Sequence, residues 1–150
     1  MFGNRDQLRE QFIQAWDKAR SGQSLEPLEA ALAELIREHP EYHDLLADRE
    51  HALTAEFPPE GGQGNPFLHL AMHLSIREQA ATNRPAGIRD IHRGLSARHG
   101  AMEAEHRMIE CLGRALWEAQ RAGSQPDETA YLECLRRLEG RSTDRSRGGS

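Results

Sequence analysis

The sequence predicts an all-α protein, a compact bundle of about four long helices and one or two shorter ones. Its 150 residues include no Val, and Ala and Leu far outnumber the β-branched residues, a balance that favours helix over strand. The length corresponds to one domain. We therefore expect a single helical domain over residues 1–138 and a disordered tail over 139–150, which has no large apolar residue to bury.

Apolar residues at helical spacing locate the elements along the chain. The first helix spans about 5–20, and the second runs from about residue 24 until Pro40 ends it. Short turns are expected over 41–54, followed by a Pro/Gly loop over 57–66. The remaining helices are predicted at about 66–82, 85–98, 101–121 and 127–138.

Charge and hydropathy exclude several function classes. A net charge of -5 argues against binding to nucleic acid, because no surplus of basic residues is present to replace counterions. The apolar stretches are too short to span a membrane, and the N-terminus has no apolar signal segment, so we expect a cytoplasmic protein without membrane contact. Cys111 and Cys134 form no CxxC motif and are expected as small buried side chains without a disulfide.

Two histidines lie on the apolar face of the predicted helix 66–82. His69 and His73 are four residues apart and are flanked by leucines, while Arg77 projects from the same face. Two neutral imidazoles at this spacing can chelate one cation. The segment lacks the glutamate of the HExxH motif, which disfavours protease chemistry.

The predicted helix 101–121 carries a carboxylate on its apolar face. Glu105 lies at the centre of the apolar arc, and His106 lies at the edge of that arc. Burial of an isolated carboxylate costs several kcal/mol, so Glu105 needs a cation, a hydrogen-bond donor or a raised pKa.

Two explanations of these polar residues compete. In the first, they bind one divalent metal ion, Zn, Fe or Mn. The ligands would be His69, His73, Glu105 and His106, with His43 in reserve. In the second, Arg77 pairs with Glu105 and the histidines complete a hydrogen-bonded network that needs no metal.

The other histidines have simpler interpretations. His39 lies on the inner face of its helix but directly precedes Pro40, where a role at the helix C-terminus is favoured over metal binding. His51, His92 and His99 are expected at the surface or at an edge of the bundle.

Four strings in the chain are distinctive when they are taken together. They are HPEYH at 39–43, NPFLHLAMHLSIREQ at 65–79, RPAGI at 84–88 and EAEHRMIECLGRALWEAQR at 103–121. With them the chain resembles the proteobacterial domain-of-unknown-function family 1841, over about residues 1–138. The resemblance implies a bacterial protein. It implies no enzyme class and no cofactor, since the family has no established activity.

Two hypotheses about function follow. The leading one is a cytoplasmic helical bundle with a buried His/Glu pocket for one divalent metal, which in an enzyme would activate water or dioxygen. Whether the protein is an enzyme is left open. The alternative is a non-catalytic interaction or assembly module, as a homodimer or with a protein partner, in which the polar network fixes the register of the helices.

Overall fold

Helices make up most of the chain. The computed structural model describes residues 5–57 and 64–148, with side chains as far as Gly140. These residues form eight α-helices and one 3-10 turn, Pro40–Tyr42, and contain no strand. The helices are α1 (Arg5–Arg20), α2 (Pro27–Arg37), α3 (His43–Ala47), α4 (Arg49–Thr54), α5 (Pro66–Thr82), α6 (Ile88–His99), α7 (Ala101–Ala122) and α8 (Glu128–Gly148). None of them is both long enough and apolar enough to cross a membrane, within the part of the chain described.

The all-α prediction is confirmed, but the predicted number of helices is wrong. The difference lies in residues 41–54, where turns were expected and where α3 and α4 form. Asp48 separates these two helices, because its backbone is extended and its side chain accepts a 3.1 Å hydrogen bond from the backbone N–H of His51. This is an N-cap, which satisfies a free donor at the start of α4.

The start of α6 also differs from the prediction. The helix begins at Ile88 instead of Pro85, because Gly87 has φ 102°, a left-handed conformation that favours glycine. The side chain of Asn83 accepts hydrogen bonds of 3.1 Å from the backbone N–H groups of Gly87 and Arg89. The chain therefore turns sharply before the helix starts.

Some predicted features lie wholly or partly outside the described residues. Most of the predicted Pro/Gly loop, residues 58–63, falls there. The last helix continues to Gly148, past its predicted end at 138. Side chains after Gly140 are outside the description, so the predicted disorder of 139–150 stays a prediction.

The contacts divide the chain into two compact units, Met1–Leu74 and Ser75–Ser150. Helix α5 supplies residues to both units, and the expectation of a single domain stays a prediction. In the first unit, α1, α2, α3, α4 and the start of α5 surround an apolar core. Its fully buried large side chains include Phe12, Ile13, Leu32, Leu35, Ile36, Leu46, Phe67 and Leu70.

In the second unit, α6, α7 and α8 pack against one another. Buried side chains on these helices include Ile88, Ile91, Leu95, Met108, Leu112, Tyr131 and Leu135. Cys111 of α7 and Cys134 of α8 form a disulfide, with their Cα atoms 5.8 Å apart. The expectation of two unpaired cysteines is therefore wrong. Neither helix encodes the pairing by itself, since it depends on which residues the packing of α7 against α8 places side by side.

Candidate metal site in the first unit

The predicted histidine pair lies near the start of α5. Asn65 caps this helix, because its side-chain oxygen accepts hydrogen bonds from the backbone N–H groups of Phe67 at 2.9 Å and Leu68 at 3.3 Å. One turn further on, His69 is partly buried, and His73 has no exposed surface. The Nε2 atoms of the two imidazoles are 3.1 Å apart. The pair therefore points its ring nitrogens at one place, as the helical spacing predicted.

His39 joins this pair. Its ring centroid is 5.3 Å from that of His69 and 4.9 Å from that of His73, and its side chain is buried. One ligand nitrogen from each of the three histidines lies within 4.8 Å of the other two. We call His39, His69 and His73 the histidine triad. Sequence reasoning missed His39 as a candidate ligand, although its place on the inner face of the second predicted helix was a usable signal.

A hydrogen bond fixes which nitrogen His39 offers. Its Nδ1–H donates to the carbonyl oxygen of Leu35 at 2.8 Å, one of the last carbonyl groups of α2. The expected role at the end of this helix therefore coexists with a place in the triad. With a proton on Nδ1, Nε2 is the nitrogen that the neutral form of this ring would offer to a metal. Metal-binding histidines are commonly oriented in this way, with one ring N–H donating to a backbone carbonyl.

The spacing of His69 and His73 is close to that of two ligands on one metal. Two nitrogens bound at about 2.0–2.1 Å to a tetrahedral Zn²⁺ lie roughly 3.3–3.4 Å from each other. The observed 3.1 Å between the Nε2 atoms differs from this by a few tenths of an ångström. Without a metal, the same contact is a hydrogen bond in which one ring donates to the other.

Tyr42 forms one wall of the triad. Its ring stacks on His39, with centroids 5.5 Å apart and planes inclined by 1°, and it meets His69 edge-on at 6.3 Å. Burial, with a smaller contribution from the carboxylate of Glu41, raises the pKa of the Tyr42 phenol. The phenol is therefore neutral at physiological pH and holds the two imidazoles by ring contacts.

His43, the predicted reserve ligand, is engaged elsewhere. Its Nε2–H donates to the carbonyl oxygen of Ile36 at 2.8 Å, and its ring lies against Trp16 with centroids 4.6 Å apart. The structure does not bring it into the histidine triad.

Glu105 lies in the second unit and is bound by an arginine. Its side chain is buried, as the helical pattern predicted. Arg77 donates from Nε to Oε2 at 2.8 Å and from Nη2 to Oε1 at 3.1 Å. This bidentate pairing neutralises the buried carboxylate. His106, the next residue on α7, is partly buried and also belongs to the second unit.

These features define an all-helical protein with a buried histidine triad in its first unit. The chain belongs to the family described as a domain of unknown function, DUF1841, whose model matches residues 4–137. Comparison with curated proteins and with solved structures gives no match.

Proposed function

We propose that this protein binds one divalent metal ion through His39, His69 and His73. The observation that carries the proposal is the convergence of three imidazole nitrogens within 4.8 Å of one another. Two of the three side chains are almost fully buried, at 3% exposure for His39 and 0% for His73. A metal ion is a partner that several converging nitrogens can share, because each nitrogen can supply one ligand.

The ligand set favours zinc among the three predicted metals. The three histidines of the triad each offer a nitrogen ligand. Imidazole suits Zn²⁺, whereas Mn²⁺ prefers oxygen ligands and binds more weakly to any given site. Three protein ligands leave a fourth position for water or substrate, as in catalytic zinc sites. Such a metal would lower the pKa of its bound water.

The remaining predicted ligands, Glu105 and His106, enter this proposal differently. The ion pair with Arg77 makes Glu105 a poor candidate, because release of the carboxylate would leave the guanidinium without this partner. His106 stays a predicted ligand, which the variant His106→Ala tests: an unchanged zinc affinity would remove it from the ligand set.

The direct test is metal analysis and zinc titration of the tag-free protein. We expect close to one Zn²⁺ per chain, with binding abolished in His39→Ala and His73→Ala. His51→Ala is the matched control, because His51 is exposed and the hydrogen bonds described for it use only its backbone N–H and C=O groups. A wild-type chain that takes up no Zn, Fe or Mn, or equal losses in the control, would overturn the proposal.

The second candidate function is a non-catalytic assembly module, and the Arg77–Glu105 ion pair favours it. A bidentate pair with a buried carboxylate and a partly buried guanidinium would fix the register of the helices that carry it. This function is compatible with a metal site, since the two use different residues. Light scattering tests it, and a strictly monomeric chain that purifies without a partner would count against it.

A further inference from the structure

A cleft between α7 and α8 has the Cys111–Cys134 disulfide in its wall. The cleft has a volume of about 420 Å³, within the range of small-molecule sites. It lies wholly in the second unit and shares no residue with the histidine triad. Nothing in the proposed metal function requires this disulfide.

The two sulfurs differ in accessibility. Cys111 is 3% exposed, whereas Cys134 is only partly buried, and both line the cleft. Thiol–disulfide exchange begins when a thiolate reaches one sulfur of the bond, and access decides which sulfur is attacked. Attack from the cleft would therefore fall on Cys134.

The charges around the cleft favour an anionic thiol. Arg114 follows Cys111 by three residues on α7, and Arg137 follows Cys134 by three residues on α8, so each guanidinium shares a helix face with its cysteine. Cations near sulfur stabilise the thiolate that leaves. They also attract an attacking thiol that carries carboxylates.

The acidic residues of the cleft lie further from the cysteines in sequence than the arginines do. Glu118 is on α7 and Asp127 directly precedes α8, and each is seven residues from the cysteine of its own segment. Seven residues of helix span roughly 10 Å, about two turns. Among the residues that line the cleft, the arginines are therefore closer in sequence to the cysteines than the acidic residues are.

We infer that Cys111–Cys134 is an exchange-active disulfide whose substrate is a small thiol bearing carboxylates. The thiolate attacks Sγ of Cys134, a mixed disulfide forms, and the bond to Cys111 breaks with its electron pair leaving on Sγ of Cys111. A second thiolate attacks the substrate sulfur of the mixed disulfide. It releases the substrate disulfide and the Cys134 thiolate, so two electrons pass from two thiols to the protein.

Single-cysteine variants test the predicted point of attack. The variants Cys111→Ser and Cys134→Ser are incubated with oxidised glutathione, and adducts are followed by mass spectrometry. Cys111→Ser, which keeps the accessible Cys134, should form its adduct at least about tenfold faster. Equal rates, or faster reaction of Cys134→Ser, would overturn the inference. Circular dichroism of both variants shows whether the helices are retained.

Arginine variants test the selectivity for anionic thiols. Arg114→Gln and Arg137→Gln should slow reduction of the disulfide by reduced glutathione about three- to tenfold more than they slow reduction by 2-mercaptoethanol, which carries no carboxylate. Arg121→Gln is the matched control, because Arg121 lies over the exposed ring of Trp117 and does not line the cleft. Equal slowing with both thiols, an equal effect in the control, or a wild-type chain that stays reduced in air would each refute the inference.

Discussion

Helix α5 carries two polar clusters that look alike in the sequence and differ in chemistry. His69 and His73 belong to the first unit, where His39 meets them, whereas Arg77 belongs to the second unit, where it meets Glu105. The arginine and the glutamate neutralise each other. The three imidazoles present nitrogens to a common point. The partner that another segment of the chain supplies therefore decides whether a polar residue on an apolar face is structural or belongs to a candidate site.

This contrast predicts different responses when one residue of each cluster is replaced. In the ion pair, loss of the arginine leaves a charge buried. In the triad, loss of one imidazole removes a ligand and leaves the other two in place. The first change should mainly reduce stability, and the second should mainly reduce metal affinity. The four predictions below test this difference.

The largest effect is expected for Arg77→Met. Glu105 would remain buried without its bidentate partner, and we expect the free energy of unfolding to fall by about 3 kcal/mol. Urea denaturation measures it. The matched control is Arg107→Gln, which breaks the exposed Arg107–Glu103 pair on α7 and should cost roughly 0.5 kcal/mol or less. Equal costs in the two variants would show that burial of the pair has no energetic consequence.

The second effect is stabilisation by zinc. At a free Zn²⁺ concentration 100 times its Kd, the free energy of unfolding should rise by about 2.7 kcal/mol. For a chain of this length, that gain corresponds to a rise of roughly 5–10 °C in Tm. The gain should vanish in His39→Ala and persist in Arg77→Met. Loss of the gain in Arg77→Met would show that zinc binding also needs the ion pair.

The third effect concerns Tyr131 in the second unit. Its hydroxyl donates to Oε1 of Gln79 at 2.6 Å, and burial raises the pKa of the phenol above its usual 10.0. The folded state therefore keeps this proton when the unfolded state has lost it, so stability is full below about pH 10 and falls as the pH rises further. Tyr131→Phe should cost roughly 1 kcal/mol at neutral pH and reduce the alkaline loss. Urea midpoints from neutral to alkaline pH measure both, and an alkaline loss as steep as that of the wild type would contradict this assignment.

The smallest effect is expected for Tyr42→Phe in the first unit. The variant keeps the ring that stacks on His39 and removes only the hydroxyl, so zinc affinity should change by less than about twofold. Burial also raises the pKa of Tyr42, and the alkaline loss of stability should therefore shrink slightly, with the same sign as for Tyr131. A large drop in zinc affinity would instead assign the hydroxyl a direct role at the metal.

The helical pattern predicted the apolar faces on which His73 and Glu105 are buried. The inward orientation of His69 and His73 and the burial of Glu105 follow from residue spacing within one helix. The Arg77–Glu105 ion pair was one of two alternatives. Glu105 needed a partner on the apolar face, and the sequence did not decide between the arginine and a metal ion. Their roles as metal ligands or as a network stay predictions.

Three features were not predicted from the sequence, and the reason is the same for each. His39 in the triad, the Cys111–Cys134 disulfide and the separation of α3 from α4 each depend on a contact beyond one turn of helix or on a cap. His39 was interpreted through Pro40, its neighbour in the chain, although its ring contacts lie with α5. The cysteines are separated by 23 positions, and the absence of a CxxC motif carried no information about their pairing.

The sequence by itself determined the all-α class, the faces of the helices and the presence of polar side chains among apolar ones. These properties depend on the 3.6-residue period and on helix propensity, which act over a few neighbouring residues. Tertiary structure alone decided the partner of each polar group: His39 for the histidine pair, Arg77 for Glu105 and Cys134 for Cys111. A partner is set by how helices pack, and packing depends on side-chain shape across distant segments.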